Sequence, residues 1–125
     1  MRTVVGSLFL TVTAVFGAGV AVQVADVSGT WTLEMRWSGD TKSTGVCAFE
    51  QDGSTLRGTC GDTDKFPLSG EVRGSKLSWQ FDVEQDGNKG RMEFAGELKE
   101  DGAVIEGSCA VVGGQDGSFT MKKQP

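Results

Sequence analysis

Residues 28–37 read SGTWTLEMRW, and apolar and polar side chains alternate along this stretch without a break. Trp31, Leu33, Met35 and Trp37 fall on one face of an extended chain. Because successive side chains of a strand point to opposite faces of its sheet, the alternation predicts a half-buried β-strand. Its apolar face must meet either a packed core or a hollow that holds a ligand.

The chain begins with a segment typical of a secretory signal peptide. Arg2 is the only charged residue before Asp26, and residues 4–16 are almost entirely apolar. This layout matches an export leader and is too short for a membrane anchor. The mature protein is therefore expected to be secreted or periplasmic.

Two cleavage sites follow this apolar segment. Ala21, preceded by Gly19 and Val20, fits the small-x-small rule best, and Ala25 is a second site. The sequence is accordingly divided into a leader, residues 1–25, and one small domain, residues 26–125.

Composition excludes several functions. The chain carries 12 Lys and Arg against 17 Asp and Glu, a net charge of −5, and losing Arg2 with the leader brings it to −6. An acidic chain is a poor partner for nucleic acid or anionic membranes.

Histidine and tyrosine are absent, which removes the common nucleophile–base pairs and histidine-based zinc sites. We expect no enzyme, no catalytic residue and no cofactor. Asp62 and Asp64 supply fewer oxygens than calcium needs, so we expect no metal site.

Four Asp-Gly pairs divide the rest of the chain into short alternating runs. Asp-Gly between such runs is a strong hairpin pattern, because type I′ turns need two residues with positive φ. The predicted strands cover residues 29–38, 43–51, 55–61, 65–73, 76–84, 89–99, 103–111 and 118–123. A meander of eight strands, with no helix to cover its apolar face, is expected to close into a single antiparallel up-and-down β-barrel.

Turn positions predict the register between strands. Across Asp86-Gly87 the expected pairs are Phe81–Met92, Trp79–Phe94 and Leu77–Gly96. Across Asp101-Gly102 they are Leu98–Ile105 and Phe94–Cys109. Across Asp52-Gly53 the expected pair is Phe49–Leu56. Near Asp116-Gly117, a three-residue loop over residues 115–117 would pair Val111 with Met121. At Asp52-Gly53 a four-residue loop would instead place Cys47 opposite Cys60 with the same faces inward.

The inward face of the barrel follows from these pairs. It comprises Trp31, Leu33, Met35, Trp37, Cys47, Phe49, Leu56, Cys60, Phe66, Leu68, Val72, Leu77, Trp79, Phe81, Val83, Met92, Phe94, Leu98, Ile105, Cys109, Val111, Phe119 and Met121.

Eight strands enclose a lumen that side chains either fill or leave open for one small ligand. If a ligand is held, the expected lining residues are Trp37, Leu77, Trp79, Phe81, Phe94, Gly96 and Gly107. The row from Leu77 through Gly96 to Gly107 offers the most space, unless an aromatic ring lies over the glycines. Trp31 is expected to plug one end and Trp37 to lie near the other.

The opening Ser28-Gly29-Thr30-Trp31, on the first strand of an exported meander, resembles the calycin-type barrels. Lipocalins have Gly-x-Trp there, avidins Gly-Thr-Trp, and bacterial metalloprotease-inhibitor barrels Ser-Gly-x-Trp. The resemblance implies a late cation over the first-strand Trp, for which Lys122 and Lys123 are the counterparts. The inhibitor barrels also join their second and third strands by a disulfide.

Cys47 and Cys60 lie on those two strands and on the same face, so we expect them to form a disulfide. Cys109, nearly across the barrel, would then be a buried thiol.

These features favour an exported, non-enzymatic binding module that holds a small apolar ligand in its barrel. The alternative is a barrel with a filled core that docks onto, or inhibits, an exported protein.

Overall fold

The structure, a computed structural model, describes residues 25–99 and 101–125. The predicted leader, apart from its last residue, lies outside this range. The strands of the described part are β1 (Gly29–Trp37), β2 (Thr41–Asp52), β3 (Thr55–Cys60), β4 (Phe66–Arg73), β5 (Lys76–Gln85), β6 (Asn88–Leu98), β7 (Val104–Val111) and β8 (Asp116–Lys123). Over this part of the chain, no helix has the length and apolarity needed to cross a bilayer.

Each strand pairs antiparallel with the next, and β1 pairs with β8, so the sheet is a closed eight-stranded barrel. This confirms the predicted all-β, up-and-down architecture. Closure gives every strand two neighbours and leaves no edge exposed to further pairing.

Two predicted hairpins have the expected register. Phe81 lies opposite Met92 across the β5–β6 turn, where Asp86 and Gly87 have φ of 53° and 80°. Two successive positive φ angles are the requirement of a type I′ turn. Across the β6–β7 connection, Leu98 lies opposite Ile105 as predicted.

At the β2–β3 turn the Phe49–Leu56 pairing is wrong, and the alternative register is the one present. Asp52 pairs with Thr55, and Cys47 lies directly opposite Cys60. The turn residues are therefore Gly53 and Ser54. Gly53 has φ 61° while Ser54 has no positive φ, which is the type II′ pattern with glycine first, so Asp52 remains in the strand.

The predicted register of the last hairpin is also wrong. Met121 pairs with Ile105 rather than Val111, and the chain turns over residues 112–115, where Gly113 has φ 80°. Gly117 belongs to β8 instead of the turn. A Cβ on Gly117 would lie 2.5 Å from the Arg36 carbonyl oxygen and 2.8 Å from the Trp37 ring, so this glycine allows both the backbone of β1 and the indole to approach.

The predicted inward face is the core of the barrel. All its members are buried or pack against the buried set, except Val111, which is half-buried outside the core cluster. The fully buried Val27, which precedes β1, is an addition that the strand pattern did not include.

Candidate functional site

Trp31 lies at the end of the barrel where β1 begins, which is called the closed end below. Its side chain is fully buried, and its indole N–H donates a hydrogen bond of 2.9 Å to the carbonyl of Val27. The ammonium of Lys123 lies 5.9 Å from the centre of the indole ring, within cation–π range. Trp31 thus contacts both the segment that precedes β1 and the last strand of the barrel.

Gln51 holds the chain that crosses this closed end. Its Oε1 accepts a hydrogen bond of 2.8 Å from the Val27 N–H, and its Nε2 donates to the carbonyls of Ala25 at 2.7 Å and Gly53 at 2.9 Å. Sequence reasoning missed Gln51. Its position, two residues after the inward Phe49 on the same strand, was the available indication that its side chain lies on the inward face.

Aromatic rings fill the middle of the barrel. Trp79 stacks on Phe94 with ring centres 4.9 Å apart, and Phe49 and Phe119 meet Trp79 edge-on at 5.1 and 5.4 Å. These separations are those of directly packed aromatic pairs. Phe81 continues the stack from Phe94 at 5.6 Å toward the second end.

The space expected beside Gly96 is occupied. A Cβ on Gly96 would lie 2.7 Å from Cζ of Phe119, so that ring rests over the glycine. A Cβ on Gly107 would collide with the Ala95 carbonyl of the neighbouring strand. The two glycines therefore permit a ring contact and a close strand approach, and Leu77 beside them is 3% exposed.

At the second end the apolar side chains stay partly exposed. Trp37, Phe66, Val83 and Met92 pack against the core but are only half-buried. Phe66 stacks on Phe81 at 6.0 Å, and the indole N–H of Trp37 donates to Ser43 Oγ at 3.1 Å. These four residues are called the apolar rim below.

The seven predicted lining residues are thus distributed along the barrel. Leu77, Gly96 and Gly107 lie in its filled part, Trp79 and Phe94 in the middle, Phe81 just below the apolar rim, and Trp37 in the rim. Among the described residues, Trp79 Nε1 is the buried side-chain polar atom without a hydrogen-bond partner.

The cysteines pair as predicted. Cys47 and Cys60 form the disulfide between β2 and β3, with Cα atoms 4.0 Å apart. Cys109 is a free, buried thiol. Burial raises the pKa of this thiol, and the nearby charge of Asp116 raises it further, so Cys109 is protonated and unreactive near neutral pH.

Comparison with known proteins supports the fold. No family model matches the chain, and no curated protein matches it. Among solved structures, a redesigned β-barrel is similar over 79% of this chain and 92% of its own, with 20% identity and a TM-score of 0.57. At this identity the similarity shows a shared barrel fold and nothing about function.

Proposed function

We propose that this protein is an exported, non-enzymatic binding module of calycin type that holds an apolar small molecule at one end of its barrel. The observation that carries the proposal is the difference between the ends. At one end Trp31 and Val27 are fully buried and one core side chain, Leu98, is half-buried, whereas at the other end all four side chains of the apolar rim are half-buried.

The ligand is expected to lie at the mouth of the barrel and not deep inside it. The stacked rings of Trp79 and Phe94 occupy the middle, so the accessible apolar surface begins at Phe81 and ends at Trp37. Covering about 100 Å² of such surface contributes roughly 2.5 kcal/mol. A flat apolar molecule in contact with two or three rim side chains fits this surface.

Two further features support the calycin and export parts of the proposal. Lys123 lies over Trp31 as the late cation of lipocalins does, and the Cys47–Cys60 disulfide joins the same two strands as in the inhibitor barrels. Disulfides persist in oxidising compartments, which supports a secreted or periplasmic location.

The second candidate is docking of an exported protein at the same end. It is favoured by the filled middle of the barrel and by Val112, which is 54% exposed in the loop after β7. Exposed apolar surface at a barrel end suits a protein partner as well as a small molecule.

Titration with the apolar fluorophore N-phenyl-1-naphthylamine tests the proposal. We expect saturable binding that quenches tryptophan fluorescence and weakens about tenfold in Met92→Ala, because that change removes rim surface. The matched control is Leu98→Ala, a partly buried residue on the same strand at the closed end. Absence of saturable binding, or equal weakening in both variants, would contradict ligand binding and favour the protein-docking function.

A further inference from the structure

The segment that precedes β1 is held to the barrel by the backbone of its first described residue. The N–H of Ala25 donates to the carbonyl of Gly74 at 3.2 Å, and the carbonyl of Ala25 accepts from Gln51 Nε2 at 2.7 Å. Gly74 lies in the turn between β4 and β5, and Gln51 lies near the end of β2. Ala25 is therefore bonded to two other parts of the closed end.

The residues that follow Ala25 are fixed as well. Asp26 Oδ1 accepts a hydrogen bond of 3.0 Å from the Ser28 N–H. The side chain of Val27 is fully buried, and its N–H donates to Gln51 Oε1 at 2.8 Å. The folded domain thus includes Ala25, which the division of the sequence assigned to the leader.

A cut after Ala25 would break this arrangement. It would remove the acceptor of Gln51 Nε2 and the donor to the Gly74 carbonyl, and it would place a new ammonium group on Asp26, directly before the buried Val27. Backbone groups that lose their partners in a folded protein destabilise it. The barrel would therefore lose stability if the leader were removed at this site.

A cut after Ala21 breaks none of the contacts that the structure describes. It leaves three residues, up to about 10 Å of extended chain, between the cut and Ala25. Proteases act on chain that is not held by burial and hydrogen bonds. The Ala25–Asp26 bond could then be cut only before the barrel folds, whereas a cut after Ala21 is compatible with cleavage before or after folding.

We infer that the leader is removed after Ala21, so that the mature protein begins at Val22 and keeps Ala25 as part of its closed end. The inference rests on the export part of the proposed function and does not depend on the ligand. A leader peptidase breaks the C–N bond between Ala21 and Val22 by adding water, which leaves a carboxylate on Ala21 and an ammonium group on Val22. The small residues Gly19 and Ala21 suit such an enzyme.

The cleavage site is tested by expressing the full chain in a secreting bacterial host and measuring the intact mass of the exported protein. We expect a mature chain that begins at Val22. Ala21→Gln should leave most of the protein unprocessed, because a long polar side chain before the cut violates the small-residue rule, whereas Ala25→Gln should be processed like the wild type.

Three results would overturn the inference. A mature chain that begins at Asp26 would do so while leaving export intact, and so would a block of processing by Ala25→Gln with normal processing of Ala21→Gln. A wild-type chain that keeps its leader would contradict the export part of the proposed function as well.

The structural part is tested by urea denaturation of chains 22–125 and 26–125. The unfolding equilibrium constant should be about tenfold larger for the shorter chain, the effect of two lost hydrogen bonds. Gln51→Ala should cost less in the shorter chain, because one partner of Gln51 is already gone, whereas Gln80→Ala on the outer face should have the same small effect in both. Equal stability of the two chains, or an equal cost of Gln51→Ala in both, would show that Ala25 is not part of the fold.

Discussion

The indole N–H of Trp31 donates a 2.9 Å hydrogen bond to the carbonyl of Val27, four residues earlier in the chain. The first inward side chain of β1 thereby fixes the segment that leads into the strand. Val27 is fully buried as a consequence, and this end of the barrel excludes solvent.

Trp31 and Trp37, six residues apart on β1, are predicted to differ in role. Trp31→Ala should lower the free energy of unfolding by about 3–5 kcal/mol, because it leaves a buried cavity. Trp37→Ala should cost less, since the ring is half-buried, and should mainly weaken naphthylamine binding. Urea denaturation and fluorescence titration of both variants measure this. Equal destabilisation with unchanged probe binding would show that Trp37 is an ordinary core residue.

Gln51 is predicted to be a stabilising residue despite its position at a strand end. Gln51→Ala removes the partners of the Val27 N–H and the Ala25 carbonyl, and should cost about 1–3 kcal/mol in urea denaturation. Hydrogen exchange at the Val27 amide should accelerate in the same variant. Gln80→Ala on the outer face is the control, and a cost as small as that of Gln80→Ala would contradict the assignment.

Trp79→Phe is predicted to be better tolerated than Trp31→Phe. The Trp79 N–H has no partner, so its removal relieves a buried unsatisfied donor that costs about 1–3 kcal/mol and offsets the lost packing. Trp31→Phe instead leaves the Val27 carbonyl without its donor. Thermal unfolding of the two variants compares them directly, and a larger loss for Trp79→Phe would indicate that its N–H has a partner.

Cys109 is predicted to make stability fall at high pH. Its folded pKa is raised, chiefly by burial, so above the ordinary thiol pKa the unfolded chain loses this proton and the folded chain keeps it. The stabilisation is fully present below the unfolded pKa and declines as pH rises, by at most about 1.4 kcal/mol per pH unit. Denaturation of wild type and Cys109→Ala between neutral and alkaline pH isolates this slope. A constant difference between the two would contradict the raised pKa.

The disulfide assignment illustrates how far adjacent strands can be matched from sequence. The alternation of inward and outward side chains placed Cys47 and Cys60 on one face of neighbouring strands, and this was sufficient to predict their disulfide. It could not choose between two registers that differ by two residues, because a shift of two leaves every side chain on the same face. The φ of Gly53 and the loop it allows decided the register.

The sequence by itself determined the strands, the inward face and two of the turns, because alternation and Asp-Gly chemistry are local properties. Only the tertiary structure decided the register near Gly53 and Gly117, the ring of Phe119 over Gly96, and the hydrogen bonds by which Gln51 holds the chain before β1. Each of these depends on what another strand brings within a few ångströms. The filling of the barrel also depends on contacts between strands. The sequence shows which residues carry aromatic rings, but whether the rings meet in the middle of the barrel depends on how the closed sheet stacks them.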